Sequence, residues 1–107
     1  MAKIKEITEN HILFDDGSII TFDHYQECCE YNYADFEQID DIARSYDYDT
    51  SNLMFESVDN SGFRFGDNGM MFFVPCYSEQ NGYYTDDIDI YLNGNIVLSF
   101  KCEEVLL

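Results

Sequence analysis

Tryptophan is missing from this chain of 107 residues, proline occurs once, as Pro75, and only five residues are Lys or Arg. The shortage of cations is the most restrictive of these. Nucleic acid and anionic membrane surfaces draw proteins in through Lys and Arg. The charge balance therefore argues against direct phosphate binding. No apolar run approaches the ~20 residues of a membrane-spanning helix. The start, MAKIKEITENHILF, has no long apolar stretch of the kind a secretory leader carries. The chain is thus expected in the cytoplasm, with Cys28, Cys29, Cys76 and Cys102 as reduced thiols. Catalytic signatures are absent as well. There is no Cys-x-x-Cys, phosphate-binding Gly-rich loop, His-Glu-x-x-His or Gly-x-Ser-x-Gly.

Acid and aromatic residues are what the chain has instead. It carries 22 Asp and Glu, a net charge of -17, nine Phe and nine Tyr, and 46% of its residues are hydrophobic. That apolar content is enough to drive folding despite the charge, and the length fits a single domain over residues 1–107. Such acidity has three readings: solubility, cation binding, or imitation of a nucleic acid by carboxylates placed where phosphates would lie. Calcium can be tested against loop spacing. The run Asp47-Tyr48-Asp49-Thr50-Ser51-Asn52 opens like an EF-hand loop, but Asn52 stands where Gly is required and Val58 where the bidentate Glu is required.

Short alternating strands separated by turn signals dominate the pattern. Ile4–Ile7, His11–Phe14, Ser18–Asp23, Leu53–Val58, Met70–Pro75, Asp87–Leu92 and Asn95–Cys102 read as strands, with Pro75 ending its strand or lying on an edge. Asp15-Asp16-Gly17-Ser18, Asp59-Asn60-Ser61-Gly62 and Gly66-Asp67-Asn68-Gly69 read as turns. Phe36, Ile39, Ala43 and Tyr46 recur at helical spacing, which predicts one helix over Asp35–Tyr46, capped by Asp35 with Gln38 three residues later. In the last hairpin, a three-residue loop Asn93-Gly94-Asn95 places Ile88 opposite Phe100, Ile90 opposite Leu98 and Asp87 opposite Lys101. The expected fold is α+β, a twisted, mostly antiparallel sheet packed against one helix.

Two stretches invite chemistry. His24-Tyr25-Gln26-Glu27-Cys28-Cys29-Glu30 gathers potential metal ligands and nucleophiles. Zinc would need four convergent ligands, His24, Cys28, Cys29 and either Cys76 or His11. Adjacent cysteines converge poorly, because on a strand they point to opposite faces. A Cys28 or Cys29 thiolate with His24 as its base is opposed by the surrounding carboxylates, which raise a thiol's pKa. Packing of one cysteine as a small hydrophobe is the simpler reading. In the second stretch, Asn81-Gly82-Tyr83-Tyr84, a turn is followed by two tyrosines of which only one can join a core. The other is free to stack on a ligand or partner.

At these two stretches the chain resembles a family of small phage and bacterial proteins classed as a domain of unknown function. Members carry a Gly-x-x-Ile strand leading into Tyr-His-Glu-Gln-Asp-Cys-Cys-Glu, and later Ser-Asn-Gly-Tyr-Tyr-Ser. Here these appear as Gly17-Ser18-Ile19-Ile20, Asp23 to Glu30, and Glu79 to Thr85, within a resemblance spanning roughly residues 12 to 91. His24, Gln26, Cys28, Cys29, Glu30, Asn81, Gly82, Tyr83 and Tyr84 fit the motifs, whereas Asp23, Tyr25 and Glu27 depart from them. The resemblance implies a phage or mobile-element setting in a bacterial host cell, and it implies no reaction.

The functional expectation is a non-enzymatic acidic inhibitor of a nucleic-acid-binding host defence protein, such as a CRISPR effector. Asp35, Glu37, Asp40, Asp41, Asp47 and Asp49 would replace phosphates on the partner's basic surface. No cofactor or metal is expected, and pairing with a second copy of the chain stays open. One alternative is a pocket for a small, nucleotide-like ligand built from His24, Cys28, Cys29, Glu30, Asn81, Tyr83 and Tyr84. Another is a thiol-dependent enzyme using Cys28 or Cys29.

Overall fold

Alternation of apolar and polar residues, the strongest pattern in the chain, is carried through into strands. The computed structural model describes residues 1–23, 31–67, 69–80 and 87–106. Strands take 62% of them and helical turns 12%. Five strands form an antiparallel sheet in the order β1 (Ile4–Ile7), β2 (His11–Phe14), β3 (Ile19–Asp23), β8 (Asp87–Leu92) and β9 (Asn95–Lys101). The second sheet is built around β7 (Met70–Gln80). Its first half pairs with β6 (Gly62–Asp67), which pairs in turn with β5 (Met54–Val58). Its second half lies between β4 (Tyr31–Ala34), antiparallel, and β10 (Glu103–Leu106), parallel.

The two sheets meet through aromatic side chains. Phe14 packs edge-on against Phe65 at 6.5 Å, Phe63 lies tilted to Phe100 at 6.1 Å, and Phe22 lies tilted to Phe36, on a turn after β4, at 5.8 Å. Such pairs contribute about 0.5–1.5 kcal/mol each beyond the area they bury. Between them lie Ile12, Ile20, Ile88, Ile90, Val74 and Cys76, all buried.

The α+β expectation is therefore corrected to a mostly β architecture with two sheets and only short helical turns. Among the described residues no helix exceeds five residues. The predicted helix over Asp35–Tyr46 is a 3₁₀ turn, Phe36–Gln38, followed by a single helical turn α1 (Asp41–Ser45). Ile39 between them is extended, with φ -63 and ψ 148, and Tyr46 is extended again. The helical spacing was real in its effect, since Phe36, Ile39 and Ala43 are all buried. The continuous helix fails because Asp40 turns its side chain back onto the Ile42 amide at 2.9 Å and restarts the helix there. Asp side chains compete with helix continuation in this way. Asp35 makes no cap bond to the backbone, and its carboxylate instead accepts from the Gln38 side-chain amide.

Three further expectations change. β7 runs through Pro75 rather than ending there. Pro75 sits where β7 leaves β6 and joins β4, and its carbonyl accepts from the Asp35 amide at 2.8 Å. Gly66 and Asp67, predicted in a turn, belong to β6. The last hairpin pairs Ile88 with Phe100, Ile90 with Leu98 and Asp87 with Lys101, as the buried face requires, but not through a three-residue loop. Asn93 and Gly94 form a two-residue turn with φ +53 and +82, and Leu92 faces Asn95. The register is restored by a bulge past Ile90, where Tyr91 faces Ile96 and Val97 is the extra residue.

Candidate functional site

Both motif segments, residues 24–30 and 81–86, lie outside the described residues, and with them His24, Cys28, Cys29, Glu30, Asn81, Tyr83 and Tyr84. Their described flanks are joined. Asp23, before the first segment, faces Asp89 in β8, and Tyr31, after it, faces Glu79 in β7. Glu79 and Asp87 stand on either side of the second segment. The buried Asn32 ties these flanks together. Its side-chain amide donates to the Asp87 carbonyl at 2.9 Å, and its carbonyl oxygen accepts from the Ser78 hydroxyl. Ser78 is also fully buried, so its bond to Asn32 satisfies two groups shielded from solvent. Asn32→Ala is expected to cost about 1–3 kcal/mol by removing both of these bonds from a buried position. An unchanged urea midpoint would rule out this role.

β4 has an inverted strand pattern that explains the site. In Tyr-Asn-Tyr-Ala the polar Asn32 and small Ala34 face the core, and Tyr31 and Tyr33 face outward. The two tyrosine rings lie 4.9 Å apart, and Tyr33 lies 5.7 Å from Tyr77 across the sheet. The Tyr33 hydroxyl donates to Glu79 Oε1 at 3.1 Å. Partial burial, and then the bond to the Glu79 carboxylate, push the Tyr33 phenol up to about 12. It therefore stays a neutral donor throughout the physiological range.

Beside these rings is a hollow of about 410 Å³, bordered by Tyr31, Tyr33, Glu9, Asp35, Glu37 and Glu79. Among the described residues no Lys or Arg lines it. Two of the six predicted carboxylates, Asp35 and Glu37, come together here with Glu79 and Glu9. Glu79 was readable only as the edge of a motif, and nothing in the sequence pointed to Glu9.

The other four predicted carboxylates do not border this hollow. Asp40 caps α1. Asp41 lies 3.9 Å from Arg44, and Asp47 pairs with Lys3 at 2.9 Å. Asp49 accepts from the Ser51 hydroxyl and the Asn52 amide, both at 2.7 Å, and these bonds hold its carboxyl below the usual range. Asp49 also borders a second hollow of about 530 Å³ with Tyr46, Asn52, Met54 and Asp67. Asp67 is buried there, accepting from the Tyr46 hydroxyl at 2.8 Å and the Asp49 amide at 2.7 Å.

Thiol and metal chemistry find little among the described residues. Cys76 and Cys102 are both buried, and burial, followed by the neighbouring Cys102, pushes the Cys76 thiol far up. A thiol held protonated is a poor nucleophile. His11, a candidate zinc ligand, instead contacts Glu6 at 3.2 Å. No helix among the described residues is long and apolar enough to cross a membrane.

A family profile described as a domain of unknown function (DUF7448) matches residues 1–90, and the chain belongs to that family. No curated protein and no solved structure matches the chain.

Proposed function

We propose that this member of the DUF7448 family is a non-enzymatic binding protein that offers carboxylates to the basic, nucleic-acid-binding surface of another protein. One observation carries the reading: the chain's negative charge is not neutralised internally. Five cations face 22 carboxylates. Four of the five are already engaged, as Lys3 with Asp47, Arg44 with Asp41, Arg64 with Glu56 and Lys101 with Asp87. The acids of the tyrosine-lined hollow have no cation among its described bordering residues. Like charges held together in this way raise the energy of the free protein and are relieved by a cationic partner. Host defence proteins that grip nucleic acid, CRISPR effectors among them, present Arg- and Lys-rich grooves of the complementary kind. An inhibitor of such a protein would compete with its nucleic acid.

The test is capture of partners from a bacterial lysate at low salt, followed by competition with duplex nucleic acid. The expected partner binds nucleic acid, loses it when the acidic protein is added, and is released as salt rises. Exposed Glu9 and Glu37, converted together to lysine, should weaken that binding at least tenfold. Binding that is unchanged between low and high salt would sink the proposal. A second reading, a small-ligand pocket over the two motif segments, is favoured by the joined flanks at Tyr31–Glu79 and Asn32–Asp87. The four carboxylates of the adjacent hollow turn that reading away from nucleotides and toward a cation.

A further inference from the structure

We infer that the outward face of β4, β7 and β10 is a docking surface for arginine side chains of a basic protein segment. This rests on the binding reading above and narrows it to one face and one side-chain chemistry.

Strand register defines the surface. Tyr31 faces Glu79, which faces Val105, and Tyr33 faces Tyr77, which faces Glu103. Partners across a sheet and residues two apart along a strand share a side. These six side chains therefore form two rows on one face, while Asn32, Ser78, Ala34 and Cys76 occupy the buried face beneath. Tyr31 is 48% exposed and Val105 37%. The three tyrosine rings contact one another, with centroids 4.9 and 5.7 Å apart and planes tilted by 58° and 47°, so a partner would stack on their outward faces rather than enter between them. Carboxylates stand at both margins: Glu103 on β10, and the acids of the hollow beside β4.

Ring faces flanked by carboxylates match guanidinium better than any other protein group. Arginine is planar, stacks on aromatic faces, and binds a carboxylate through two parallel N–H donors. Lysine offers a compact, strongly hydrated charge without a stacking plane. An anion would meet four carboxylates and no cation at the adjoining hollow. A purely apolar partner would bury Glu79 and Glu103 without pairing them. Charge complementarity thus selects an arginine-bearing segment as the occupant.

The experiment uses the full chain and two unstructured peptides of equal length and charge, one with arginines and one with lysines. Affinities are measured by calorimetry at low salt and again at moderate salt. The arginine peptide is expected to bind roughly fivefold or more tightly than the lysine peptide. Tyr31→Ala should remove most of that difference, and Glu103→Gln should weaken the arginine peptide several-fold. Asp59→Asn, at an exposed turn, should leave it unchanged. Circular dichroism checks that each variant is folded, and Glu103→Gln carries the test if Tyr31→Ala is not. Equal, salt-sensitive binding of both peptides would overturn the arginine surface while leaving the acidic-partner reading intact. Failure of both peptides to bind at low salt would overturn the two together.

Discussion

Gly66→Ala is expected to unfold much of the second sheet. A Cβ at Gly66 would stand 1.9 Å from the Met70 carbonyl oxygen and 2.9 Å from its carbon. Both atoms are backbone on the neighbouring strand, so no rotamer change relieves the contact. β6 and β7 would have to part at Gly66–Met71 and Asp67–Met70, next to their connection. The cost is about 3 kcal/mol or more, beyond the usual range of overpacking, because the obstacle is main chain. That is a large share of the roughly 5–15 kcal/mol that holds a domain together. It corresponds to a melting temperature roughly 12–24 °C lower for a chain of this size. Gly62→Ala should behave similarly, since its Cβ would lie 2.2 Å from the Val74 oxygen. Gly94→Ala is the contrast. Its φ of +82 carries a backbone penalty of about 1–2 kcal/mol, but nothing lies within 4 Å of the added atom. Thermal melting of the three variants decides the matter. A Gly66→Ala protein melting within a few degrees of the parent would show that the strands do not approach so closely.

Tyr48→Ala should be about as damaging. The side chain is fully buried and is a hub of ring contacts, with Phe14 at 5.2 Å, Phe65 at 5.7 Å, Tyr46 at 4.9 Å and Phe72 at 5.9 Å. Its backbone bridges to Ala2, and its hydroxyl donates to the Ala43 carbonyl at 2.8 Å. Truncating a large buried aromatic costs about 3–5 kcal/mol. Tyr48→Phe keeps the ring and loses one hydrogen bond, for about 1 kcal/mol.

The same phenol sets an alkaline limit on stability. Burial, then the Asp67 charge, raise the Tyr48 phenol above its ordinary value of 10.0. A group whose folded value is raised favours the folded state below the unfolded value, and that contribution disappears as pH climbs past it. Stability should therefore hold to about pH 10 and fall beyond it, with Tyr33, raised to about 12, adding to the decline. Urea midpoints between pH 8 and 11.5 should show a shallower fall for Tyr48→Phe. An identical slope in parent and variant would remove Tyr48 as the cause.

What the amino-acid sequence determined by itself was local. Alternating apolar residues defined β2, β8 and β9, and Gly17 and Asn93-Gly94 marked their turns, because period-two burial and left-handed turn backbone are written in neighbouring residues. The net charge of -17 was equally fixed. The hairpin shows where local reading stops. The buried face dictated which residues pair, but a bulge at Val97 satisfies the same pairing as a longer loop, and only the ladder of β8 and β9 chose between them.

Tertiary structure decided the rest. Helical spacing from Phe36 to Tyr46 was overruled because a core can be reached from broken turns as well as from a helix, and Asp40 found a nearer partner for its side chain. β4 went unseen because its polar residue is the buried one, a placement stable only with Ser78 and Asp87 beside Asn32. β10 was short and acidic, and its backbone partners lie on β7, more than twenty residues away in the chain. The tyrosine and carboxylate face depends on all three strands at once. Residues at positions 31–33, 77–79 and 103–105 share a surface only because β7 is paired on both edges, and no pattern within any one segment contains that fact.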